Sequence, residues 1–380
     1  EIRRFAPTLN AIVAGEGSDE TWLKAGAHDV VIVSYGLLVS RSGKFLSREW
    51  NGVVLDEAQA VKNAETERAE AVKKLAAKFR IAATGTPVEN RLTDLWSVFD
   101  FLNPGLLGTE DDFEEKFTDE GRATSALKNL VRPLILRRLK REVLDDLPEK
   151  TEITLTVPLE GDERAGYEAC RVTALETLEK GGKENRISIL AELMRLRRYC
   201  CHPSLVLPEV VSGAKLEALM ELLHDLKGAN HRVLVFSQFP DFLAIVEERV
   251  RHEGLTCQYL DGTTPPLERE RRVAAFQRGE GDLFLMSLKA GGTGLNLTAA
   301  NYVVLLDPWW NPAVENQAAD RVHRIGQHLP VTVYRLICKD TIEEKVVNLH
   351  AKKAALSEDV LSGGASALSA EAMLDLLSQS

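Results

Sequence analysis

Cysteine is scarce in this 380-residue sequence, and long apolar runs are missing. The five cysteines are odd in number and scattered, which argues against a disulfide framework and favours a reducing compartment. Cys200, Cys201 and His202 are adjacent but lack an accompanying C-x-x-C, so they predict a structural role, not a zinc site. No apolar run approaches the roughly 18 residues of a membrane span, and the opening EIRRFAPTLN has no leader-like hydrophobic stretch. We expect a cytoplasmic protein without a membrane partner.

An excess of positive charge is also missing, because the formal net charge is −10. Nucleic-acid binding nevertheless depends on where charge lies and not on its sum. Residues 128–141 (KNLVRPLILRRLKR) carry six cations and no acid, and Arg195, Arg197 and Arg198 form a second cluster. Each cluster is either a solvated helix face or a phosphate-binding surface, and the residues alone leave both open.

Short apolar segments alternate with helical stretches in two parts of the chain. Strands are predicted at 11–14, 29–34, 52–58 and 80–85, and again at 232–236, 256–260, 282–287, 302–306 and 331–337. Helical spacing at 64–78, 90–102, 240–253, 266–278 and 312–325 separates them. This alternation predicts an α/β fold with two parallel-sheet lobes.

The predicted domains follow from where that alternation stops and resumes. Residues 1–104 form the first lobe, and 105–212 form a mainly helical insertion with one extended segment at 151–157. Residues 213–340 form the second lobe. An amphipathic helix at 341–361 and a flexible tail with a short terminal helix at 362–380 complete the chain.

Two predicted strand ends carry side chains of distinct chemistry. Asp56 and Glu57 follow a buried run, and functional residues of parallel sheets gather at such carboxyl ends. One carboxylate there can hold Mg²⁺ while the other orients a water, although two surface acids at a turn would have the same sequence. Thr84, Gly85 and Thr86 end the next strand, where hydroxyl groups can sense a phosphate; the string is equally typical of a plain turn.

The segment 307–327, DPWWNPAVENQAADRVHRIGQ, predicts a helix that directly follows a buried strand. Asn311 is a suitable cap for this helix. Within it Gln317, Arg321 and Arg324 are expected on one face, because residues three and four apart are neighbours. That face is either solvated or able to stabilise phosphate charge. Upstream, the glycine-rich residues 289–297 are either a flexible turn or a loop whose backbone N–H groups approach an anion.

In chain order the strings DEAQ, TGTPVEN, VLVFSQF, SLKAGGTGLNLTAA and DPWWNPAVENQAADRVHRIGQ resemble the motifs of SWI/SNF-type DNA translocases of helicase superfamily two. LRRYCCHP at 196–203 and PLILRRLKREV at 133–143 resemble further landmarks of that family. Gln59 replaces the histidine of many members, a variant similar to bacterial-type sequences. The resemblance covers the chain up to its tail and implies two RecA-like lobes that close on ATP and Mg²⁺.

The resemblance also implies roles for individual residues. Asp56 would hold Mg²⁺, Glu57 would orient the attacking water, and Arg321 and Arg324 would be arginine fingers. The further residues expected near the nucleotide are Gln59, Gly294 and Gln317. The residues expected to couple nucleotide state to lobe movement are Thr84, Gly85 and Thr86. The residues expected close to the DNA backbone are Lys289, Thr293 and Trp310.

One part of the family pattern is missing from the sequence. Residues 1–380 contain no G-x-x-x-x-G-K-[ST] phosphate loop, since the Gly-Lys pairs at 43–44 and 182–183 are followed by Phe45 and Glu184. The resemblance implies that the loop precedes Glu1. We therefore expect an N-terminally truncated translocase that is inactive as an ATPase by itself.

Three functions remain open at this point. The first is a portion of an ATP-dependent double-stranded-DNA translocase or remodeller, located at the nucleoid if the source is bacterial. The second is a DNA-binding or regulatory module that keeps the helicase lobes without hydrolysing ATP, and the third is a strand-separating helicase. The expected partners are double-stranded DNA, bound largely without sequence preference, and a DNA-bound protein or nucleoprotein.

Overall fold

The structure, a computed structural model, describes residues 2–15, 20–85, 92–117, 122–138, 140–143, 147–179, 186–210, 212–291, 295–357 and 374–377. The chain divides into two compact units, Glu1–Leu136 with Leu356–Ala367 and Arg137–Ala355 with Leu368–Ser380. The division falls inside the insertion predicted at 105–212, and the five segments predicted from the sequence stay a prediction.

The first unit contains two parallel strand pairs. Strand β1 (Asn10–Val13) pairs with β2 (Asp29–Ile32), and β3 (Trp50–Leu55) pairs with β4 (Ala77–Ala82). The strands predicted at 52–58 and 80–85 are present but end three residues earlier than expected. Strand β3 stops before Asp56 because Glu57 adopts a left-handed backbone conformation, which a strand cannot accommodate.

Helices surround these strands and enclose an aromatic core. They are α1 (Ile2–Phe5), α2 (Tyr35–Ser40), α3 (Ser42–Leu46), α4 (Glu67–Lys73), α5 (Leu92–Leu102), α6 (Glu110–Phe117) and α7 (Arg122–Val131). In the core Trp22 stacks on Phe45 with ring centroids 4.1 Å apart. Leu55 at the end of β3 and Ala58 just after it belong to the same buried cluster, so this core anchors the acidic motif.

The second unit is built on a six-stranded parallel sheet. Its order is β5 (Lys150–Val157), β10 (Val331–Cys338), β9 (Tyr302–Leu305), β6 (Val233–Ser237), β8 (Leu283–Ser287) and β7 (Cys257–Leu260). Strand β5 is the extended segment predicted at 151–157, and it pairs with β10 along its whole length. Every residue of β6 and β8 is buried, as expected for central strands covered on both faces.

The helices of the second unit are α8 (Lys140–Val143), α9 (Gly161–Glu179), α10 (Arg186–Cys201), α11 (Ala214–Gly228), α12 (Pro240–His252), α13 (Pro266–Arg278), α14 (Leu288–Gly291), α15 (Pro312–Ala319) and α16 (Ile342–Ser357). Alternating strand residues divide between two apolar clusters, one on each face of the sheet. Ile342 of α16 lies in a third buried cluster with residues of α9 and α10, and Val346 of the same helix is also buried, as the amphipathic spacing predicted. The resemblance to the translocase family also implies that this helix is a brace, a role that stays a prediction.

Residues 374–377 are helical, and Leu376 and Leu377 are buried in the cluster that α9, α10 and α16 share. The short terminal helix expected within 362–380 is therefore present, and it packs on the second unit. Among the residues that the structure describes, no helix is long and apolar enough to cross a membrane.

Candidate functional site

The acidic motif lies at the carboxyl end of β3, where the backbone is held in an uncommon conformation. Glu57 has φ 51° and ψ 52°, a left-handed conformation that costs a side-chain-bearing residue about 1 kcal/mol. Two backbone hydrogen bonds to the end of β4 hold it: Ala83 N donates to Leu55 O at 2.7 Å, and Ala58 N donates to Ala83 O at 3.0 Å. The pairing of the two strands thus continues around Asp56 and Glu57 and fixes the direction of both carboxylates.

A chain of side-chain hydrogen bonds joins this motif to the end of the neighbouring strand. Gln59 Nε2 donates to Glu57 Oε2 at 2.6 Å, and Thr84 Oγ1 donates to Gln59 Oε1 at 2.8 Å. The amide of Gln59 therefore connects the acidic pair with the predicted coupling residue Thr84. Gly85 follows directly, whereas Thr86 lies outside the described residues.

Asp56 has the exposure and the surroundings that an Mg²⁺ ligand needs. Its side chain is exposed, and one carboxylate oxygen accepts the Glu57 N–H at 3.0 Å. Its backbone carbonyl accepts the Tyr35 hydroxyl at 2.9 Å. Burial, with the negative charges of Asp56 and Glu57, raises the pKa of Tyr35 to about 12, so the phenol stays a neutral donor. Accessible carboxylate oxygens suit Mg²⁺, and this donor set fits the ion that the motif implies.

In the second unit the helix that begins after Asn311 is shorter than predicted. The Asn311 side chain caps it, accepting from Ala313 N at 3.0 Å as expected. Helix α15 ends at Ala319, however, and Arg321 and Arg324 lie in the following turn, so the prediction of one helical face for them and Gln317 was wrong. After Ala319 the backbone forms hydrogen bonds between residues three apart, as from Val322 N to Ala319 O. This tighter turn buries Val322 fully in the core, and the helix therefore ends earlier than its sequence spacing predicted.

The two arginines of this turn have different surroundings. Arg321 is only 6% exposed, and its carbonyl accepts from Leu297 N at 3.1 Å. Arg324 is exposed, and its Nη1 donates to Leu295 O at 3.3 Å. The end of the glycine-rich segment therefore holds both, so the structure brings residues 295–297 and the arginine-bearing turn together. Gly294 and Thr293 lie outside the described residues.

Buried charged side chains hold the backbone between β9 and α15. Lys215 Nζ donates to Leu306 O at 2.8 Å, and Arg197 donates to Pro308 O. The Asp307 carboxylate accepts from the Ser237 hydroxyl and from Gln238 N. Burial raises the pKa of Asp307, and the charge of Arg197 opposes that rise. The backbone and side chains of residues 306–308, just after β9, are therefore held by contacts with three other elements of the unit.

The start of α15 is held in the same way. Glu315 Oε1 accepts from Trp309 N at 2.7 Å, and Glu315 Oε2 accepts from Arg335 Nε at 3.0 Å. The Arg197 guanidinium lies 4.9 Å from the centroid of the Trp310 ring. Trp310, predicted near DNA, is half-buried, and the other predicted backbone contact, Lys289, is exposed on α14.

Burial separates the residues of the second basic cluster. Arg197 is fully buried, whereas Arg198 pairs with Asp241 at 3.0 Å and Arg195 with Glu192 at 3.8 Å. The three arginines therefore do not form one phosphate-facing surface. In the first cluster Arg132, Arg137 and Arg138 are exposed, whereas Lys140 pairs with Asp320.

No pattern in the sequence indicated the buried ion pair between Lys215 and Glu343. Lys215 Nζ lies 2.6 Å from each Glu343 carboxylate oxygen, and both side chains are inaccessible. Cys200 and Cys338 approach the same carboxylate closely enough to resemble a metal-binding cluster. The ammonium group already neutralises it, and burial raises the pKa of Cys200 well above its usual range. Because metals bind the thiolate form, a neutral thiol there fits the predicted structural role.

Comparison with known proteins agrees with this architecture. Residues 1–205 match the family model described as the SNF2-related domain, and residues 214–326 match the helicase conserved C-terminal domain. The chain is 39% identical over 383 residues to the putative ATP-dependent helicase/translocase YwqA of Bacillus subtilis, covering 95% of this chain and 41% of that protein. It is 34% identical to the mouse SWI/SNF-related matrix-associated actin-dependent regulator of chromatin subfamily A member 1, covering 96% of this chain and 37% of that protein.

A solved structure extends the comparison to the whole chain. The Sulfolobus solfataricus SWI2/SNF2 ATPase core in complex with dsDNA is 33% identical, with a TM-score of 0.52, and the match covers all of this chain and 83% of that one. This match bears out the predicted α/β fold with RecA-like lobes.

Proposed function

Because this chain belongs to the SNF2-related family of helicase-like ATPases, we propose that it provides the ATPase lobes of an ATP-dependent double-stranded-DNA translocase or remodeller. The observation that carries the proposal is the hydrogen-bonded chain Glu57–Gln59–Thr84, which joins the acidic pair to the end of the next strand. The left-handed backbone of Glu57 adds to this support, because strained conformations of this kind cluster at functional sites.

Asp56 and Glu57 divide the chemistry of the first unit. Asp56 would hold Mg²⁺, and the ion would supply positive charge to neutralise the phosphates of a bound nucleotide. Glu57 accepts a hydrogen bond from the attacking water and directs it at the terminal phosphorus. Gln59 holds the Glu57 carboxylate in place, so that a change at Thr84 alters the direction of that carboxylate. This link gives a route from nucleotide state to the backbone of β4.

Arg321 and Arg324 contribute positive charge from the second unit. The charge of the transferred phosphoryl group is spread over its oxygens, and an arginine that reaches it can contribute about 10³–10⁵-fold in rate. Arg324 is the more accessible of the two, whereas burial restrains Arg321. We assign the contact with the phosphate to Arg324 and a second, more constrained contact to Arg321, with Gln317 of α15 beside the nucleotide.

The partner proposed for the whole protein is double-stranded DNA, contacted at its backbone. The match to a core solved with dsDNA supports this assignment, as do exposed cations at Arg137, Arg138 and Lys289. Phosphate contacts carry no sequence information, so binding should be largely independent of sequence. A protein or nucleoprotein on that DNA is the proposed object of the translocation.

A non-hydrolysing regulatory module is the alternative for this chain taken alone, because residues 1–380 contain no phosphate-loop string. The two functions differ in ATP turnover. We expect the full-length protein to release phosphate from ATP in the presence of duplex DNA, and residues 1–380 alone to be inactive.

Substitution of the proposed catalytic groups tests the assignment further. Glu57→Gln should abolish the DNA-stimulated turnover of the full-length protein and still allow nucleotide binding. Arg324→Ala should lower the rate about 10³-fold or more without changing the melting temperature, since its side chain is exposed. Glu70→Gln, on the exposed surface of α4, serves as the matched control for Glu57. Wild-type turnover in Glu57→Gln would refute the role assigned to this carboxylate.

A further inference from the structure

The turn that carries Arg321 and Arg324 depends on contacts with other parts of the chain, because α15 ends before it at Ala319. Its C-terminal half is held by Gln327, whose Nε2 donates to Ala300 O at 2.8 Å. A second bond, from Leu297 N to Arg321 O, holds the turn at its first arginine. Asp320 and His323, which flank this contact, interact with a different part of the chain, namely Lys140 and Pro148.

Lys140 makes two of these contacts. Its ammonium nitrogen lies 2.8 Å from Asp320 Oδ1 and donates to the carbonyl of His323 at 3.1 Å. Asp320 precedes Arg321 directly, and His323 precedes Arg324 directly. One ammonium group therefore contacts the residue immediately before each of the two arginines, Asp320 through its side chain and His323 through its backbone.

A further contact supports the same part of the turn. The His323 ring donates from Nε2 to the carbonyl of Pro148 at 2.8 Å. The residue before Arg324 is thus held through its backbone by Lys140 and through its side chain by Pro148.

We propose that Lys140 is a positioning residue for the catalytic arginines of the turn. The inference rests on the proposed function, since it assumes that Arg321 and Arg324 act on the phosphate. Lys140 belongs to the basic segment 128–141, and the competing assignment for such a lysine is a contact with DNA phosphate. The geometry favours positioning, because the charge of Lys140 is already paired with Asp320 and a second of its donors is used by His323 O.

The exposure of this ion pair makes the proposal testable without unfolding the protein. The side chains of Lys140 and Asp320 are each 41% exposed. Exposed ion pairs contribute little to stability, so removal of either partner should leave the fold intact. Displacement of a catalytic group by about 1 Å, in contrast, can cost up to about 100-fold in rate. A positioning role therefore predicts a loss of turnover without a loss of stability.

The test is steady-state ATP hydrolysis by the full-length protein at saturating duplex DNA. We expect Lys140→Met to lower kcat about 10-fold, with the KM for ATP, the DNA affinity and its salt dependence unchanged. Asp320→Asn should cause a similar loss, and the double substitution should add little to either single one. Lys140→Arg, which keeps the charge and the donors, should recover part of the lost rate.

Lys227 offers a matched control in the same unit. It is 42% exposed, pairs with Asp282 at 3.1 Å and donates to Gly254 O at 3.4 Å, the same combination of carboxylate and carbonyl. Lys227→Met should change the melting temperature as little as Lys140→Met does and should keep the wild-type kcat.

Hydrogen–deuterium exchange supplies a readout that does not depend on turnover. Amides of residues 320–327 should exchange faster in Lys140→Met than in the wild type or in Lys227→Met. Unchanged exchange there together with an unchanged kcat would overturn the proposal. A weaker DNA affinity, with a salt slope reduced by about one, would instead assign Lys140 to a phosphate contact and would equally overturn it. If the wild type lacks DNA-stimulated turnover, the proposed function fails, and the exchange data still decide whether Lys140 holds the turn.

Discussion

Replacing Lys215 by methionine tests whether buried charges hold the strand end that precedes α15. The ammonium group of Lys215 is inaccessible to solvent and has three buried acceptors, the two carboxylate oxygens of Glu343 at 2.6 Å and Leu306 O at 2.8 Å. Methionine fills a similar volume but leaves the Glu343 charge without its partner. Removing one member of a buried pair costs about 3–5 kcal/mol, and we expect the free energy of unfolding to fall by that amount.

The loss of stability in Lys215→Met should depend on pH, and the surroundings of the Glu343 carboxylate determine whether it grows or shrinks as pH rises. Burial raises the pKa of Glu343, and the charge of Lys215 opposes the rise. Without Lys215 the folded-state pKa rises further above the unfolded value. A group of this kind contributes stability at pH values below its unfolded pKa and loses that contribution as pH rises through its folded pKa. Lys215→Met should therefore be less destabilised at pH 5 than at pH 8.

Urea unfolding at the two pH values measures both effects. The double substitution Lys215→Met with Glu343→Leu removes both charges, and it should be more stable than Lys215→Met alone, since hydrophobic replacements of a buried pair are often neutral. Lys227→Met, which breaks an exposed pair, should cost at most about 1 kcal/mol and serves as the control. A loss below about 1 kcal/mol in Lys215→Met, or a double substitution as unstable as the sum of the single ones, would refute the reasoning.

Three further predictions concern other parts of the two units. Gln59→Leu breaks the hydrogen-bonded chain of the first unit and should lower DNA-stimulated kcat about 10-fold or more with the KM for ATP unchanged, as steady-state kinetics would show. Arg197→Met leaves the buried carbonyl of Pro308 unpaired, so we expect the free energy of unfolding to fall by about 3 kcal/mol and the melting temperature to fall with it. Arg195→Met, at a side chain that is 40% exposed, should change the free energy of unfolding by less than about 0.5 kcal/mol. Reversing the charges of exposed Arg137 and Arg138 should reduce the salt slope of DNA binding by about one per phosphate contact, equally for unrelated sequences; an unchanged slope would assign both to a solvated surface.

The strands of both sheets could be predicted because their signal is local. Runs of apolar residues with turn residues at either end specify a buried parallel strand whatever its neighbours are. The pairing of Glu57, Gln59 and Thr84 was also within reach, since carboxyl ends of neighbouring parallel strands meet at one edge of a sheet. The left-handed conformation of Glu57 could not be predicted, because it depends on the hydrogen bonds that Ala83 makes with Leu55 and Ala58 on either side of the acidic pair.

The end of α15 could not be predicted from local spacing. Residues 312–325 have helical periodicity, but the burial of Val322 and the contact of Lys140 with Asp320 favour a tighter turn. Lys140 is far from this turn in sequence, so no window around the turn contains the cause. The burial of Arg197, in contrast, could have been predicted from the helical spacing of its neighbours. It lies on the same helical face as Leu193, Cys200 and Cys201, all of which are buried.

Much of the 307–327 motif therefore holds the backbone in place, and the sequence pattern alone does not distinguish these structural residues from the proposed catalytic ones. Asp307 and Glu315 are buried and accept hydrogen bonds from backbone N–H groups, so neither carboxylate is available to a ligand. Buried ionic contacts of this kind add little net stability compared with apolar replacements, but they fix geometry. Loss of Asp307 should thus reduce activity through the placement of α15, with a lower melting temperature. Loss of Arg324 should reduce it with an unchanged melting temperature, and only the two measurements together distinguish placement from chemistry within one motif.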